Sequence, residues 1–269
     1  MSVRLIARLD IKGPNVVKGV QMEGLRVVGK PEELAKRYAE DADELLYIDT
    51  VASLYGRNQL GRLLADTNAE VFVPMTVAGG ISSIAEVQRL LCSGADTVAI
   101  NTAALKNPRI LREISDVIGV QGICVSIEAK RVRDGWEAYT DNGRNKTGKD
   151  AIDWAKEAVD LGAGQVLITS VDRDGTRKGF DVELVKRVVE AVDVPVIASG
   201  GMGGTEHFRT LLREAAPDGV AIASALHYGL NTLKELQHVA REEFDKGQLR
   251  YSNIGRSGGS EARYHSRVP

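Results

Sequence analysis

Only two cysteines, Cys92 and Cys124, occur in the 269 residues, and they form no CxxC spacing. With no signal-like N-terminus either, the expected setting is a reducing cytoplasm. No apolar run approaches the roughly 20 residues that would span a bilayer, so no membrane segment is expected. The four histidines, His207, His227, His238 and His265, show no zinc-ligand spacing, and no metal or other cofactor is expected. Charge of one sign is also missing. Lys plus Arg number 35 and Asp plus Glu 37, a formal net charge of −2, which gives no bias toward nucleic acid or membrane. What remains, 43% hydrophobic and 27% charged, is the make-up of a globular enzyme domain, for which one α/β barrel fits the length as well as two smaller domains do.

The chain says the same thing twice. VAGGI at 77–81, followed by GADTVAINTAAL from Gly94, is echoed by ASGGM at 198–202 and PDGVAIASALHYG from Pro217. In each copy an apolar run ends in a Gly pair, a helical stretch follows, and a second apolar run ends in small polar residues, Asn101-Thr102 or Ala223-Ser224. Glycines let backbone N–H groups approach an anion closely, and a helix start completes the cradle. Two matched cradles imply a ligand with two phosphates.

Short β-branched runs lie near 3–11, 44–50, 70–75, 97–100, 122–127, 165–169, 194–198 and 219–223, with amphipathic stretches between them. Among the latter, PEELAKRYAEDA has Pro31 suited to a first helical turn, SSIAEVQRLLCSG has Ser82 as N-cap and Gly94 as stop, and DVELVKRVVEAV starts at Asp181. Strands alternating with helices imply parallel pairing, and eight such units are the count for a closed (β/α)8 barrel made of two half-barrels. We assign residues 1–249 to the barrel and 250–269, rich in Gly, Ser and Arg, to a flexible tail.

The repeat extends beyond the cradles. IARLDIK at 6–12 matches CVSIEAK at 124–130, which places Asp10 and Glu128 at the ends of the first and fifth strands; DELLYIDTVAS matches GQVLITSVDRDG. Chemistry in such barrels sits at the C-terminal strand ends, and strands one and five lie opposite each other. Two carboxylates thus face one another between the cradles, suited to acid–base work, or else serve as strand-end partners of nearby lysines.

At this level of detail the chain resembles HisF, the cyclase subunit of imidazole glycerol phosphate synthase. The matching motifs, in family order, include LDIK, VVKG, DELLYID, AGGI, INTAA, SIEAKR, NGRNKTG, TSVDRDGT, IASGG and EHF, over roughly residues 3–245. The resemblance implies an ammonia-dependent lyase and cyclase that converts the bis-phosphorylated ribonucleotide adduct PRFAR into imidazole glycerol phosphate and AICAR. Ammonia would come from a HisH-like glutaminase docked on the opposite barrel face, where Asp96 matches an interface position. It also implies roles: Asp10 and Glu128 as acid and base, and Lys18 in a long Gly-rich first loop, KGPNVVKGVQMEGLRVVGK, that acts as a lid. Gly80, Asn101 and Thr102 would hold one phosphate, with Thr169, Asp174, Gly175, Gly200, Gly201, Ala223 and Ser224 at or near the other.

Departures from the family pattern are equally specific. Glu128 stands where the family has aspartate, and Arg8 where it has a small residue or cysteine. Arg8 shares parity with Asp10, so it points into the barrel and needs an anionic partner, for which Glu44 or Glu128 is available. The family closes the barrel floor with Arg, Glu, Lys and Glu, whereas here the ammonia gate would be Arg4, Glu44, Thr97 and Gln165. These changes, with VASLYGRNQL from Val51, keep open a second reading: a HisF-like paralogue that delivers ammonia for amidation of a sugar in bacterial surface polysaccharide synthesis. A HisA-like isomerase shares the two-phosphate plan but not NKTG, and a conduit that only passes ammonia onward would bind a partner without turnover. The stretch 131–145, with Trp136, Tyr139 and Asp141-Asn142-Gly143, reads as a hairpin over the mouth whose aromatics either shield substrate or form a rim cluster.

Overall fold

Along the first strand, RLIARLDIK, side chains alternate between two apolar environments. Leu5, Ala7, Leu9 and Ile11 belong to the large core shared with the helices, while Ile6 belongs to a separate inner cluster. A strand apolar on both faces fits a closed barrel clad in helices. The computed structural model describes residues 3–52, 60–68 and 70–246. In chain order its strands are β1 (Arg4–Lys12), β2 (Asn15–Val20), β3 (Glu23–Gly29), β4 (Glu44–Asp49), β5 (Met75–Ala78), β6 (Thr97–Ile100), β7 (Ile123–Val132), β8 (Gly135–Thr140), β9 (Asn145–Asp150), β10 (Gln165–Ser170), β11 (Val196–Ser199) and β12 (Gly219–Ile222). Parallel pairing runs β1-β4-β5-β6-β7-β10-β11-β12, and β12 closes on β1 through Arg4↔Gly219 and Ile6↔Ala221. This is the (β/α)8 barrel expected, with β1 and β7 four strands apart in either direction.

The inner cluster takes one residue from each barrel strand: Ile6, Leu46, Ala78, Ala99, Cys124, Leu167, Ile197 and Ala221. It forms an apolar belt across the bore. Below it lie Arg4, Glu44, Thr76 and Gln165, and above it Arg8, Asp10, Glu128, Thr169 and Ser199. Among the described residues, no helix is long and apolar enough to cross a membrane.

Several local expectations shift. The third barrel strand runs Met75–Ala78 instead of 70–75, because pairing with β4 starts only at Leu45↔Met75. The residues before it form a loop in which Phe72 is 92% exposed. Pro74 contributes only its carbonyl, to Leu45 N–H. Ser83, one residue after the expected Ser82, caps the helix Ile84–Cys92; Glu86 turns back to the Ser82 N–H and hydroxyl. Pro31 and Asp181 open their helices as read. Most of 51–60, and the tail at 250–269, lie outside the described residues.

Two hairpins extend from the mouth. The first loop is not irregular: β2 and β3 pair antiparallel, and their two-residue turn puts Gln21 and Met22 at φ of 53° and 63°. The second hairpin, β7 with β8, pairs Glu128↔Tyr139. Trp136 is buried in the main core, with its Nε1 donating to Asp181 at 2.8 Å and the Arg131 guanidinium 4.3 Å from its ring centroid. Its aromatic side chain therefore packs into the main core and forms neither a separate rim cluster nor a cover over the mouth.

Candidate active site

Strand ends bring the predicted acids to opposite sides of one mouth. Asp10 is the last buried residue in the inward row of β1, and Glu128 that of β7, beside Thr169 in register. Both are buried. Their surroundings differ sharply. Asp10 Oδ1 accepts from Arg8 Nε at 2.8 Å and Oδ2 from Lys18 Nζ at 2.8 Å. Burial alone would raise its pKa, but the two cations hold it well below the usual carboxylate range. Glu128 Oε2 accepts from Gly143 N–H at 2.7 Å. Burial pushes Glu128 up to about 7, against the pull of Gly143 and Arg8 and with the push of Asp141 and Asp174.

Arg8 points inward, as its parity requires, but neither Glu44 nor Glu128 is its ion-pair partner. Asp10, two residues on, takes that place, since both side chains project from the same face of β1. Glu44 is engaged below the belt instead. Lys18 is 3% exposed, so it is no solvated loop lysine. It bridges Asp10 and Asp174, at 2.8 Å from each. The hairpin that carries it is docked on the loop after β10, with Gln21 N–H on the Asp174 carbonyl at 2.7 Å and Gln21 Nε2 on the Asp172 carbonyl at 3.1 Å.

The two glycine cradles have the backbone geometry that close approach demands. A Cβ on Gly80 would stand 2.6 Å from Ala52 Cβ, and one on Gly201 would stand 2.2 Å from the Gly179 carbonyl oxygen. The repeat is visible in the dihedrals: Asn101 lies at φ −118°, ψ −88° and Ala223 at φ −120°, ψ −78°, each before a short helix. Around Gly80, Asn101 and Thr102 a cavity of about 210 Å³ opens, its floor formed by Ile48, Ala99, Ser126 and Glu128. The buried Asn101 Oδ1 has no hydrogen-bond partner. The second cradle, lined by Asp174, Gly175, Gly200, Gly201, Ala223 and Ser224, is closed down to about 10 Å³, the room of a single water. Between them lies a third cavity of about 130 Å³, reaching Arg8, Asp10, Lys12, Lys18 and Arg144.

Below the belt, Arg4 Nη1 meets Glu44 at 2.9 Å and its Nη2 meets Gln165 at 3.2 Å. Burial raises the pKa of Glu44, while Thr76 and Arg4 oppose the shift. Thr97, expected as the third member of the gate, makes no side-chain bond to Arg4, Glu44 or Gln165 among the described residues. Thr76, its register partner on β5, donates to Glu44 at 2.6 Å instead. Sequence reading missed Thr76, although its parity with Ala78 marks it as inward. It also missed how the 141–143 turn would be used. Asp141, Asn142 and Gly143 all have positive φ, and the turn spans the mouth by touching Thr102, Thr50 and Glu128.

Fold and geometry together define a twofold-repeated (β/α)8 barrel with an opposed acid pair between glycine cradles. The family described as histidine biosynthesis protein matches residues 4–232. The chain is 59% identical to the imidazole glycerol phosphate synthase subunit HisF of Legionella pneumophila over 77% of its own length and 99% of the relative's. It is 48% identical to the subunit of that name from Myxococcus xanthus, over 89% of this chain and 95% of the relative, and 45% identical to that of Thermococcus onnurineus, over 93% and 100%. The chain belongs to the histidine biosynthesis protein family and, within it, to the HisF subunits. These relatives do not favour the sugar-amidation alternative.

Proposed function

We propose that this chain is the ammonia-dependent cyclase subunit that converts PRFAR into imidazole glycerol phosphate and AICAR, with ammonia supplied by a HisH-like glutaminase. The observation that carries this reading is the placement of Asp10 and Glu128 at opposite strand ends between two glycine cradles, in a chain of this family. An incoming ammonia must lose protons as its C–N bonds form, and the nitrogen that departs with AICAR must gain one. Two carboxyl groups of different proton affinity, on opposite sides of one mouth, can divide these tasks. Asp10 accepts, Glu128 donates, and Lys18 keeps Asp10 anionic under a closed hairpin. Gly80, Asn101 and Thr102 hold one phosphate, and the Gly200-Gly201 cradle with Ser224 holds the other.

The inner belt suits passage of neutral ammonia and opposes ions, because moving an unpaired ion into apolar surroundings costs tens of kcal/mol by Born estimates. The glutaminase would dock at the N-terminal barrel face, where Asp96 is exposed. The test is turnover of PRFAR by the purified chain with ammonium salt at alkaline pH and no partner, followed by AICAR release. Robust release is the expected result. A folded protein that releases none would overturn this reading in favour of an ammonia conduit.

A further inference from the structure

Arg8 is a buried cation for which proton transfer between the two acids supplies no direct task. Its guanidinium ties three strands together beneath the mouth: Nε donates to Asp10 Oδ1 on β1 at 2.8 Å, and Nη1 donates to Ser199 Oγ on β11 at 3.1 Å and to Thr169 Oγ1 on β10 at 3.4 Å. Lys18 holds the other Asp10 oxygen from above. Each oxygen of Asp10 is thus committed to a cation. Glu128 is placed otherwise. One of its oxygens takes the Gly143 N–H, no other hydrogen bond to it is made among the described residues, and its side chain forms part of the floor of the 210 Å³ cavity. The belt below is uneven as well. Ala78, Ala99 and Cys124 are its members on β5, β6 and β7, on the Glu128 side, whereas Leu167, Ile197 and Ile6 lie beneath Arg8 and its partners.

We infer that Arg8 is a positioning residue: it holds Asp10 as the anion that accepts a proton at the mouth and leaves Glu128 as the carboxyl that carries one to the reactants. The inference rests on the reading of Asp10 and Glu128 as a proton-transfer pair. The surrounding charges agree with it. Burial raises Glu128 to about 7, with Arg8 lowering it and Asp141 and Asp174 raising it. Asp10 faces Arg8 and Lys18, and Lys18 in turn faces Asp174. His227, also near Asp10 and Lys18, is pushed down to about 4 by burial, so it is neutral at pH 7 and adds no charge. Acids whose proton affinities are driven apart in this way take separate roles.

The inference is tested by ¹³C NMR titration of the unliganded protein, labelled at its Asp and Glu side-chain carboxyls, with Glu128→Gln and Asp10→Asn used to assign the two signals. The wild type should show Glu128 titrating near pH 7 and Asp10 ionised throughout. In Arg8→Met, the Glu128 step should move up by about one pH unit or more, and the Asp10 step should rise as well. Arg8→Lys should restore the wild-type pattern. Arg8→Gln, which keeps a donor for Asp10, serves if Arg8→Met does not fold. In parallel, kcat for ammonium-driven turnover at constant free ammonia should show its basic limb shifted upward in the neutral variants. Loss of rate with both titrations unmoved would overturn the inference and leave Arg8 a structural tie. Because the titrations need no substrate, they also separate the two readings: the expected shifts in a protein that does not turn over PRFAR would count against the cyclase and not against the charge assignment.

Discussion

Gly175 lies so close to Gly19 that a Cβ on Gly175 would stand 2.1 Å from the Gly19 carbonyl oxygen. The contact joins the hairpin that carries Lys18 to the loop that carries Asp174, and Gly175 also has φ +70°, which a side chain would strain. Gly175→Ala is therefore expected to hold the hairpin off the mouth and separate Lys18 from Asp10. We expect about a 100-fold fall in kcat, with a lowered unfolding temperature as the buried pairs of Lys18 are lost. Faster proteolytic cleavage within 13–30 would show that the hairpin has lifted.

Asp10→Asn should abolish turnover, by a factor of about 100 to 10,000. A strand-end carboxylate would ordinarily contribute little to stability, and sequence alone points that way. The structure gives Asp10 two buried cationic partners, so the same change should also destabilise the fold, by about 3–5 kcal/mol for a buried ion pair broken on one side. Asp174 still holds Lys18, which favours the lower end. Urea unfolding measures the second effect independently of the first.

Glu128→Asp restores the residue typical of HisF, and from sequence alone it should raise activity in a drifted cyclase. The geometry predicts the reverse. The longer side chain meets Gly143 N–H at 2.7 Å, and withdrawing the carboxyl by one methylene breaks that bond. A misplacement of about 1 Å is expected to lower kcat by up to about 100-fold. A rise in kcat for AICAR release would refute the fit described here.

Glu243 is 0% exposed and pairs with Arg213 at 2.6 Å and Arg209 at 2.5 Å, tying the helix Leu233–Asp245 to Thr205–Glu214. Hydrogen bonds from Arg213, then from Arg209, outweigh burial and hold its carboxyl down to about 2. A carboxyl whose folded pKa lies below its unfolded one stabilises the protein above the unfolded value, near 4.5, and that stabilisation is lost as pH falls toward 2. Acid unfolding followed by circular dichroism should therefore steepen below pH 4.5. Glu243→Gln should flatten that part of the curve and lower stability at pH 7.

The barrel was legible because its signal is local. Period-two strands, glycine pairs and capped helices each sit within a few residues, and the internal repeat supplied a check on each half. Strand 70–75 was misplaced for a related reason: Val71, Phe72 and Val73 look like a strand, and only the partner on β4 decides where pairing begins. The finer parts of the site depend on closure. That Arg8 would choose Asp10, that Thr76 would take the place expected of Thr97, and that Gly143 would reach back to Glu128 are outcomes of register between distant segments. Parity told which way Arg8 points. It could not tell what Arg8 would meet.

The belt that takes one apolar side chain from every strand has a consequence for traffic in protons. A bore that turns away ions turns away hydronium and ammonium alike, so the belt insulates the mouth from the barrel floor. Acid released at the mouth as C–N bonds form is then directed to the solvent side, where the cavity beside Lys18 and Asn142 lies. Opening of the Lys18 hairpin would discharge the site as well as empty it, and one motion would reset both its contents and its protonation.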